Sequence, residues 1–478
     1  MRKIYEKAKT VLIWLGPDTQ EHQAKVAIDS VLTISDFLCQ RLGVSVPELG
    51  SIKNVMEDVF KNRDNLPVPN ECDFSTAAMW KSLLWFYSHS YFTRVWAVQE
   101  VNANKERWLR CGHENIEWDR VNLVADYIIM ETAFSKSFGF SSAYCWFAAT
   151  LTTELIQLKN WLFMLYLASN FSSMDPRDVI YGLRGLMKFS DGGRLLKPDY
   201  SKSTIEVYRD SVEAALVNFQ NTDVLLYLAG NENPSWIPRW DRAMLFRNPF
   251  RFGNAVPWKP AGETKPIWNI DKKLNVLSLS GFVVEPIKFA ESYNESFFGN
   301  AMIDSDEGRN VLKQVWQRIL KTMEDSQSQI PFSISVLTAA ATSFSFGLNE
   351  KSKPGDERLL IHNFVAYLKI ALDEETYNRY IPPDVSEESK DGDGHAFGKP
   401  VWDFKYPESS FFITEGRLLG CSISTIRPGD TVCVALGSTY PFILRPDGDH
   451  FLIRGYAYVH GIMHGERRNS EGQVFRIC

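Results

Sequence analysis

The sequence predicts an α/β fold: a partial parallel sheet with many helices, followed by an α+β region that ends in a small antiparallel β-sheet or barrel. Three observations carry this. Thr10–Gly16 is an unbroken apolar run closed by Gly16-Pro17, the pattern of a strand covered on both faces in a parallel sheet. Long stretches repeat apolar residues at helical spacing, as with Val26, Ala27, Val31, Ile34 and Leu38. After Phe411, short apolar runs are separated by turn signals such as Pro446-Asp447-Gly448-Asp449, the punctuation of antiparallel hairpins.

In chain order, Trp80, Leu83, Leu84 and Tyr87 fall at i, i+3, i+4 and i+7, one face of a helix. Ser88-His89-Ser90 interrupts it, and Ser90 or Thr93 can cap a second helix. On that helix Trp96 and Glu100 lie on one ridge. A large aromatic there can hold the carboxylate at the edge of an apolar pocket, where its charge is poorly solvated. Arg107–Cys111 reads as a short strand, 112–117 as a turn, and Trp118 as the start of a helix; 150–169 is strongly apolar and helical. Asp175-Pro176 is a cap with proline at the first helical position. Arg177 and Asp178 are expected to tie that helix start to the sheet by charge-assisted hydrogen bonds. Ser203-x-x-Glu206 is a capping box opening a helix to about Phe219.

At Asn231 the composition shifts to Pro, Trp, Asn and Arg, which ends a first domain, 1–230. A mixed α+β region, 231–380, contains a strand over 274–287 and helices over 308–324 and 356–372. Residues 381–408 are polar and Gly-rich and read as a flexible loop. A β-rich region, 409–478, is expected to pack with 266–290.

Composition narrows the function. A chain of 478 residues with 45% apolar and 23% charged residues is an ordinary globular protein of several domains. The net charge of −6, with no long Lys/Arg cluster, argues against nucleic-acid binding. The longest strongly apolar run, Trp161–Ala168, is far short of a membrane span. Seven scattered cysteines without a C-x-x-C pair read as reduced thiols, and the charged N-terminus lacks the apolar core of a signal peptide, so the expected location is cytoplasmic. No metal is expected: His460-x-x-x-His464 lies in strand and turn sequence where i and i+4 do not converge, and Asp391-x-Asp393-x-His395 lacks the glutamate that closes a calcium loop.

The pattern Arg94-x-Trp96-x-x-Gln99-Glu100 resembles the R-x-W-x-x-Q-E signature of fungal heterokaryon incompatibility (HET) domains. Further pieces follow in the family's order: Val11–Gly16 upstream, Cys111-Gly112, Trp118, Asp175-Pro176-Arg177-Asp178 with Tyr181-Gly182-Leu183, Lys197-Pro198-Asp199-Tyr200, Pro234-Ser235-Trp236-Ile237-Pro238, and Tyr458-Val459-His460-Gly461 near the end. In HET domains the Val11–Gly16 segment normally follows two strand motifs, A-L-S-Y-x-W-G and W-I-D-x-I-C-I-N-Q. Neither occurs here, so a domain lacking its first strands is expected. HET domains are similar in turn to TIR domains, which implies a flavodoxin-like sheet.

The resemblance implies a role in non-self recognition and programmed cell death, through protein partners in self-assembly or incompatibility signalling. It also implies an alternative. In TIR domains that cleave NAD, a W-x-x-x-E helix supplies a catalytic glutamate, and Trp96-x-x-x-Glu100 fits that pattern. In this enzymatic reading NAD is the substrate, Glu100 stabilises an oxocarbenium-like transition state, and Trp96 and Trp14 offer flat surfaces to its rings. Arg94, Gln99, Asp175, Arg177, Asp178 and Tyr181 would be structural parts of the motif. The competing reading makes Glu100 a helix carboxylate paired with Arg94 or a neighbouring basic side chain, and packs both tryptophans in the core.

Overall fold

The computed structural model describes residues 2–18, 22–46, 74–102, 104, 106–130, 144–145, 160–244, 256–294, 298–327, 329–350, 353–397, 408–423 and 425–478. The chain divides into two units, Met1–Ser211 with Trp240–Leu245, and Val212–Arg239 with Phe246–Cys478.

The first unit carries α1 (Arg2–Lys7), β1 (Val11–Gly16), α2 (Gln23–Leu42), α3 (Ala77–Tyr87), a 3-10 turn at Ser90–Thr93, α4 (Val95–Asn102), β2 (Arg107–Cys111), β3 (Glu114–Glu117), α5 (Trp118–Met130), α6 (Trp161–Ala168) and α7 (Asp178–Tyr181). Helix α8 (Thr204–Phe219) begins here and ends in the second unit. β1 pairs parallel with β2, and β2 pairs antiparallel with β3, so the sheet is mixed rather than parallel. The expected turn over 112–117 is a two-residue turn at Gly112-His113 followed by a strand. Gly112 makes it possible: its φ is +58°, and a Cβ there would stand 2.9 Å from the Cβ of Asp18.

β1 is also not covered on both faces. Val11, Ile13 and Leu15 are buried, whereas Leu12 is 59% and Trp14 51% exposed. An apolar run without alternation does not by itself require burial on both faces; here alternate side chains are buried and exposed. Elsewhere in this unit Phe92 stacks on Trp118, and Phe86, Tyr87, Tyr91 and Tyr144 close around the pair. Thr76 caps α3 by accepting from the Met79 N–H. The capping box forms reciprocally, the Ser203 N–H donating to Glu206 and the Glu206 N–H to Ser203 Oγ. Of the helix expected over 150–169, α6 is described, and 150–159 lie outside the described residues.

The second unit contains a 3-10 turn at Asp223–Tyr227, β4 (Trp268–Asp271), β5 (Val276–Asn294), α9 (Asn300–Ile303), α10 (Asp306–Gln327), α11 (Ile334–Phe344), α12 (Glu357–Ala371), α13 (Glu374–Tyr380), α14 (Pro383–Glu388), β6 (Glu408–Thr414), β7 (Leu419–Ser422), β8 (Thr431–Ala435), β9 (Phe442–Asp447), β10 (His450–Val459) and β11 (Gly472–Ile477). Its eight-stranded sheet closes on itself: β5 pairs with β8, β8 with β9, β9 with β10, β10 with β7, β7 with β6, and β6 with β5. Closure removes open edges from these six strands. Trp316 of α10 anchors the helices beside the barrel, packed by Phe298, Phe344, Phe364 and Tyr367.

The stretch 381–408, expected to be a flexible loop, is structured through residue 397. Pro383 starts α14, the Tyr377 and Ser386 hydroxyls share a hydrogen bond, and the Asp393 N–H donates to Asn363. The glycines read as flexibility serve close approach. A Cβ on Gly392 would stand 2.2 Å from the His362 carbonyl oxygen, and one on Gly394 3.0 Å from the Tyr367 backbone. They let the segment lie on α12, where Phe397 is buried against Phe364 and Tyr367. Polarity alone did not distinguish this from a solvated loop.

Two predictions follow from this architecture. A Cβ at Gly281 would sit 2.1 Å from the Val434 carbonyl oxygen, between β8 and the ring of Phe475. Gly281→Ala should therefore lower the stability of the full chain by roughly 1–3 kcal/mol in urea unfolding, and an unchanged midpoint would show that the strands can part. Asp223 accepts from Thr439 Oγ1 at 2.8 Å and Asn221 Nδ2 at 2.9 Å, yet burial outweighs both bonds and pushes its pKa up to about 6. Its contribution to stability is full below the ordinary carboxylate value and is lost as pH rises through about 6. Because the residue keeps some exposed surface, the loss is at most about 3 kcal/mol. Asp223→Asn should flatten the decline in stability between pH 4 and 7 relative to the parent; parallel pH profiles would refute the assignment.

Candidate functional site

The R-x-W-x-x-Q-E segment opens with a register change. The 3-10 turn ends at Thr93, Arg94 bridges to Ser172, and the Val95 N–H donates to the Ser172 carbonyl, so α4 starts against the segment that leads to Asp175. Gln99 is buried, Trp96 and Glu100 are half-buried, and Arg94 is exposed.

Trp96 and Glu100 take different partners. The Trp96 indole N–H donates to Asp178 Oδ2 at 3.1 Å, and Gly182 faces its ring, where a Cβ would lie 3.5 Å away. Asp178 receives a second donor on its other oxygen, the Tyr200 hydroxyl at 2.6 Å. That bond, after burial, helps push the Tyr200 phenol up to about 12. The Tyr181 hydroxyl donates to the Asp199 carbonyl at 2.9 Å. Arg177 forks onto Asp175, Nε to Oδ1 at 2.8 Å and Nη2 to Oδ2 at 2.6 Å, and its Nη1 reaches the carbonyls of Tyr200 and Lys202. This pairing holds the Asp175 carboxyl below its usual range. Arg177 and Asp178 thus bind the helix start to the 199–202 segment and to α4, not to the sheet as expected. The sequence holds all these residues, but the distance between their motifs hid their convergence.

Glu100 lies in a different setting. Its Oε2 accepts from the Tyr91 hydroxyl at 3.1 Å, and Tyr5 of α1 lies close enough for its phenol to feel the same carboxyl group. Both phenols titrate high, mainly through burial and then through the neighbouring negative charge, while Arg94 opposes the shift. Tyr91 is therefore fixed as a donor, and its hydroxyl holds Glu100. Glu100 forms no ion pair with Arg94. Neither tyrosine was anticipated from the sequence; Tyr5 gives no signal because its approach is set by the packing of α1 on α4. Trp14 is on the exposed face of β1, with the Arg110 guanidinium 5.9 Å from its ring centre. The prediction that it packs in the core is corrected: Leu12 and Trp14, on that side of β1, are both more than half exposed. Among the described residues, Glu100, Trp96 and Trp14 share no partner.

Elsewhere, His460 Nδ1 bonds with Thr342 Oγ1, and His464 packs edge-on against Trp258. Asp393 caps His395 and Ala396, and His395 meets Asp304. Among the described residues no group of His, Cys, Asp and Glu could hold a metal ion, and no helix is long and apolar enough to cross a membrane. In the segment between the motifs, Trp236 donates to the Asn275 carbonyl and Trp240 to Ser211 Oγ.

The two donors on Asp178 differ in burial, and that yields a test. Trp96→Phe leaves a half-buried carboxylate oxygen short of a donor and should cost roughly 1–2 kcal/mol. Tyr200 is 52% exposed, so water can replace its hydroxyl, and Tyr200→Phe should cost less. Thermal unfolding of the two variants ranks them; a larger loss for Tyr200→Phe would overturn the account.

Comparison with known proteins places this geometry. A family model described as the Het-6 beta-barrel domain matches residues 405–474, which hold β6 to β10 of the barrel. The chain is 22% identical over 545 aligned positions to heterokaryon incompatibility protein 6, OR allele, of Neurospora crassa, covering 98% of this chain and 78% of that protein. No solved structure matches it. Residues 405–474 thus carry a Het-6 beta-barrel domain, and similarity to a fungal heterokaryon incompatibility protein runs the length of the chain.

Proposed function

We propose that the chain is a cytoplasmic protein of non-self recognition that acts in heterokaryon incompatibility by assembling with protein partners and signalling cell death. Incompatibility is the role in the name of the Neurospora crassa relative. The observation that carries the assembly reading is the uncovered face of the small sheet. Leu12, Trp14 and Trp108 are 59%, 51% and 38% exposed, and Leu12 stands opposite Trp108 in the β1–β2 register. Clustered apolar area of this kind, with tryptophan in it, favours protein partners. The six cysteines among the described residues are free, which fits a reducing compartment.

The glycohydrolase alternative needs Glu100 beside the ribose of NAD with a flat side chain for a ring. Instead Glu100 is held by Tyr91, Trp96 by Asp178, and Trp14 stands on the sheet. That separation supports assembly over catalysis.

The test is expression in a fungal host. Glu100→Gln should arrest growth as the parent does, with cellular NAD unchanged. Trp14→Ser combined with Trp108→Ser should abolish arrest at unchanged protein level, since both side chains are partly exposed. Loss of killing in Glu100→Gln, together with NAD depletion by the parent, would replace this reading with the glycohydrolase.

A further inference from the structure

β9 and β10 pair regularly from Asp447–His450 to Leu444–Ile453, and then the register slips, with Gly455 opposite Ile443. Arg454 is the extra residue of this bulge. Bulges re-aim side chains and recur beside binding sites. Leu444 and Ile453 are buried, so Arg445 and Arg454 project on the opposite side of the two strands.

Arg454 is partly buried and its Nε is sealed from solvent with no hydrogen-bond partner; among the described residues the guanidinium makes no hydrogen bond and no ion pair. Other arginines also leave Nε unpartnered, but Arg107 bonds through its remaining nitrogens to Val101 and Asp119, Arg120 to Ser35 and Asp36, and Arg184 to Gly193. Arg454 lacks that compensation. The charged groups acting on it are Arg445, Arg427, Asp430 and Glu232. Both carboxylates are already engaged. Asp430 accepts Arg445 Nε and Nη2, each at 2.7 Å, and the Arg427 N–H at 2.9 Å. Glu232 accepts the N–H groups of Ala229 at 2.6 Å and Asn231 at 3.1 Å. Burial, with Arg445 beside it, lowers the affinity of Arg454 for its proton.

We propose that Arg454, with Arg445 and the exposed Arg427, forms a binding site for a small oxyanion ligand, a phosphate or a carboxylate, on this side of the barrel. The guanidinium fork matches either group in two parallel hydrogen bonds. An oxyanion would supply the partner that none of the described residues supplies and would offset the repulsion among three cations.

The test is thermal unfolding of the full chain in inorganic phosphate, sodium acetate or sodium chloride at equal ionic strength. Phosphate should raise the melting temperature by about 3 °C near saturation, with chloride inert. A rise in acetate as well, or in acetate alone, assigns the site to carboxylates. Arg454→Met should abolish the response. Should that variant fail to fold, Arg427→Gln, an exposed change, should weaken apparent affinity several-fold. No shift in either anion, or an undiminished response in Arg454→Met or Arg427→Gln, overturns the site.

Discussion

A strand of 19 residues presents two edges of backbone N–H and C=O groups, and each must find a partner once the strand is buried. The organisation of the second unit follows from that demand on β5. Leu279 is flanked by Trp268 of β4 and Phe475 of β11, and Gly281 by Ala435 of β8 and Gln473 of β11; beyond Ile287 the partner is β6. Pro286 lacks an N–H and falls between two register slips, where the strand passes from β8 to β6. The residues that match the barrel family begin more than a hundred positions later, yet the ring closes only through β5.

The first unit depends on a smaller device. Asp178 accepts from the Trp96 indole and the Tyr200 hydroxyl, while Arg177 beside it fixes Asp175 and two carbonyls of the 200–202 turn. Three segments far apart in sequence thereby share one polar network, and their backbone groups near α7 are satisfied without a sheet. Most of this network is half-exposed, so its value is chiefly positional: it sets how α4 enters, and with it where Glu100 meets Tyr91 and Tyr5.

Local signals were legible where one short-range rule decides the outcome. The Ser203–Glu206 box, the Gly448-containing turn between β9 and β10, and the α3 face of Trp80, Leu83 and Tyr87 follow from neighbours within a few residues. What failed depends on distant chain. Whether Leu12 and Trp14 are covered is decided by what packs on β1, not by their hydropathy. Whether Gly392 and Gly394 loosen a loop or let it lie flat is decided by α12, thirty residues earlier. The candidate site divides in the same way. Trp96 and Glu100 do share a helix, as the spacing requires, but their partners lie at Asp178 on one side and Tyr91 on the other. The four-residue spacing fixed where the side chains start and could not fix where they end.

Those partners bear on where a ligand can act. A charged group withdrawn from water is stabilised either by the chain itself or by something that arrives later. Glu100 belongs to the first kind, because the Tyr91 hydroxyl already donates to it, and a substrate would have to displace that donor to use it. Asp430 and Glu232 are of the same kind, each satisfied by Arg445 or by backbone amides. Arg454 is of the second kind: partly buried, set out of register by a bulge, and beside carboxylates whose oxygens are engaged elsewhere. Leaving a buried charge unpaired is costly enough that it persists only where the surrounding structure compels it or a ligand relieves it. By that criterion the motif that first draws the eye is the more self-contained of the two, and the barrel holds the unsatisfied charge.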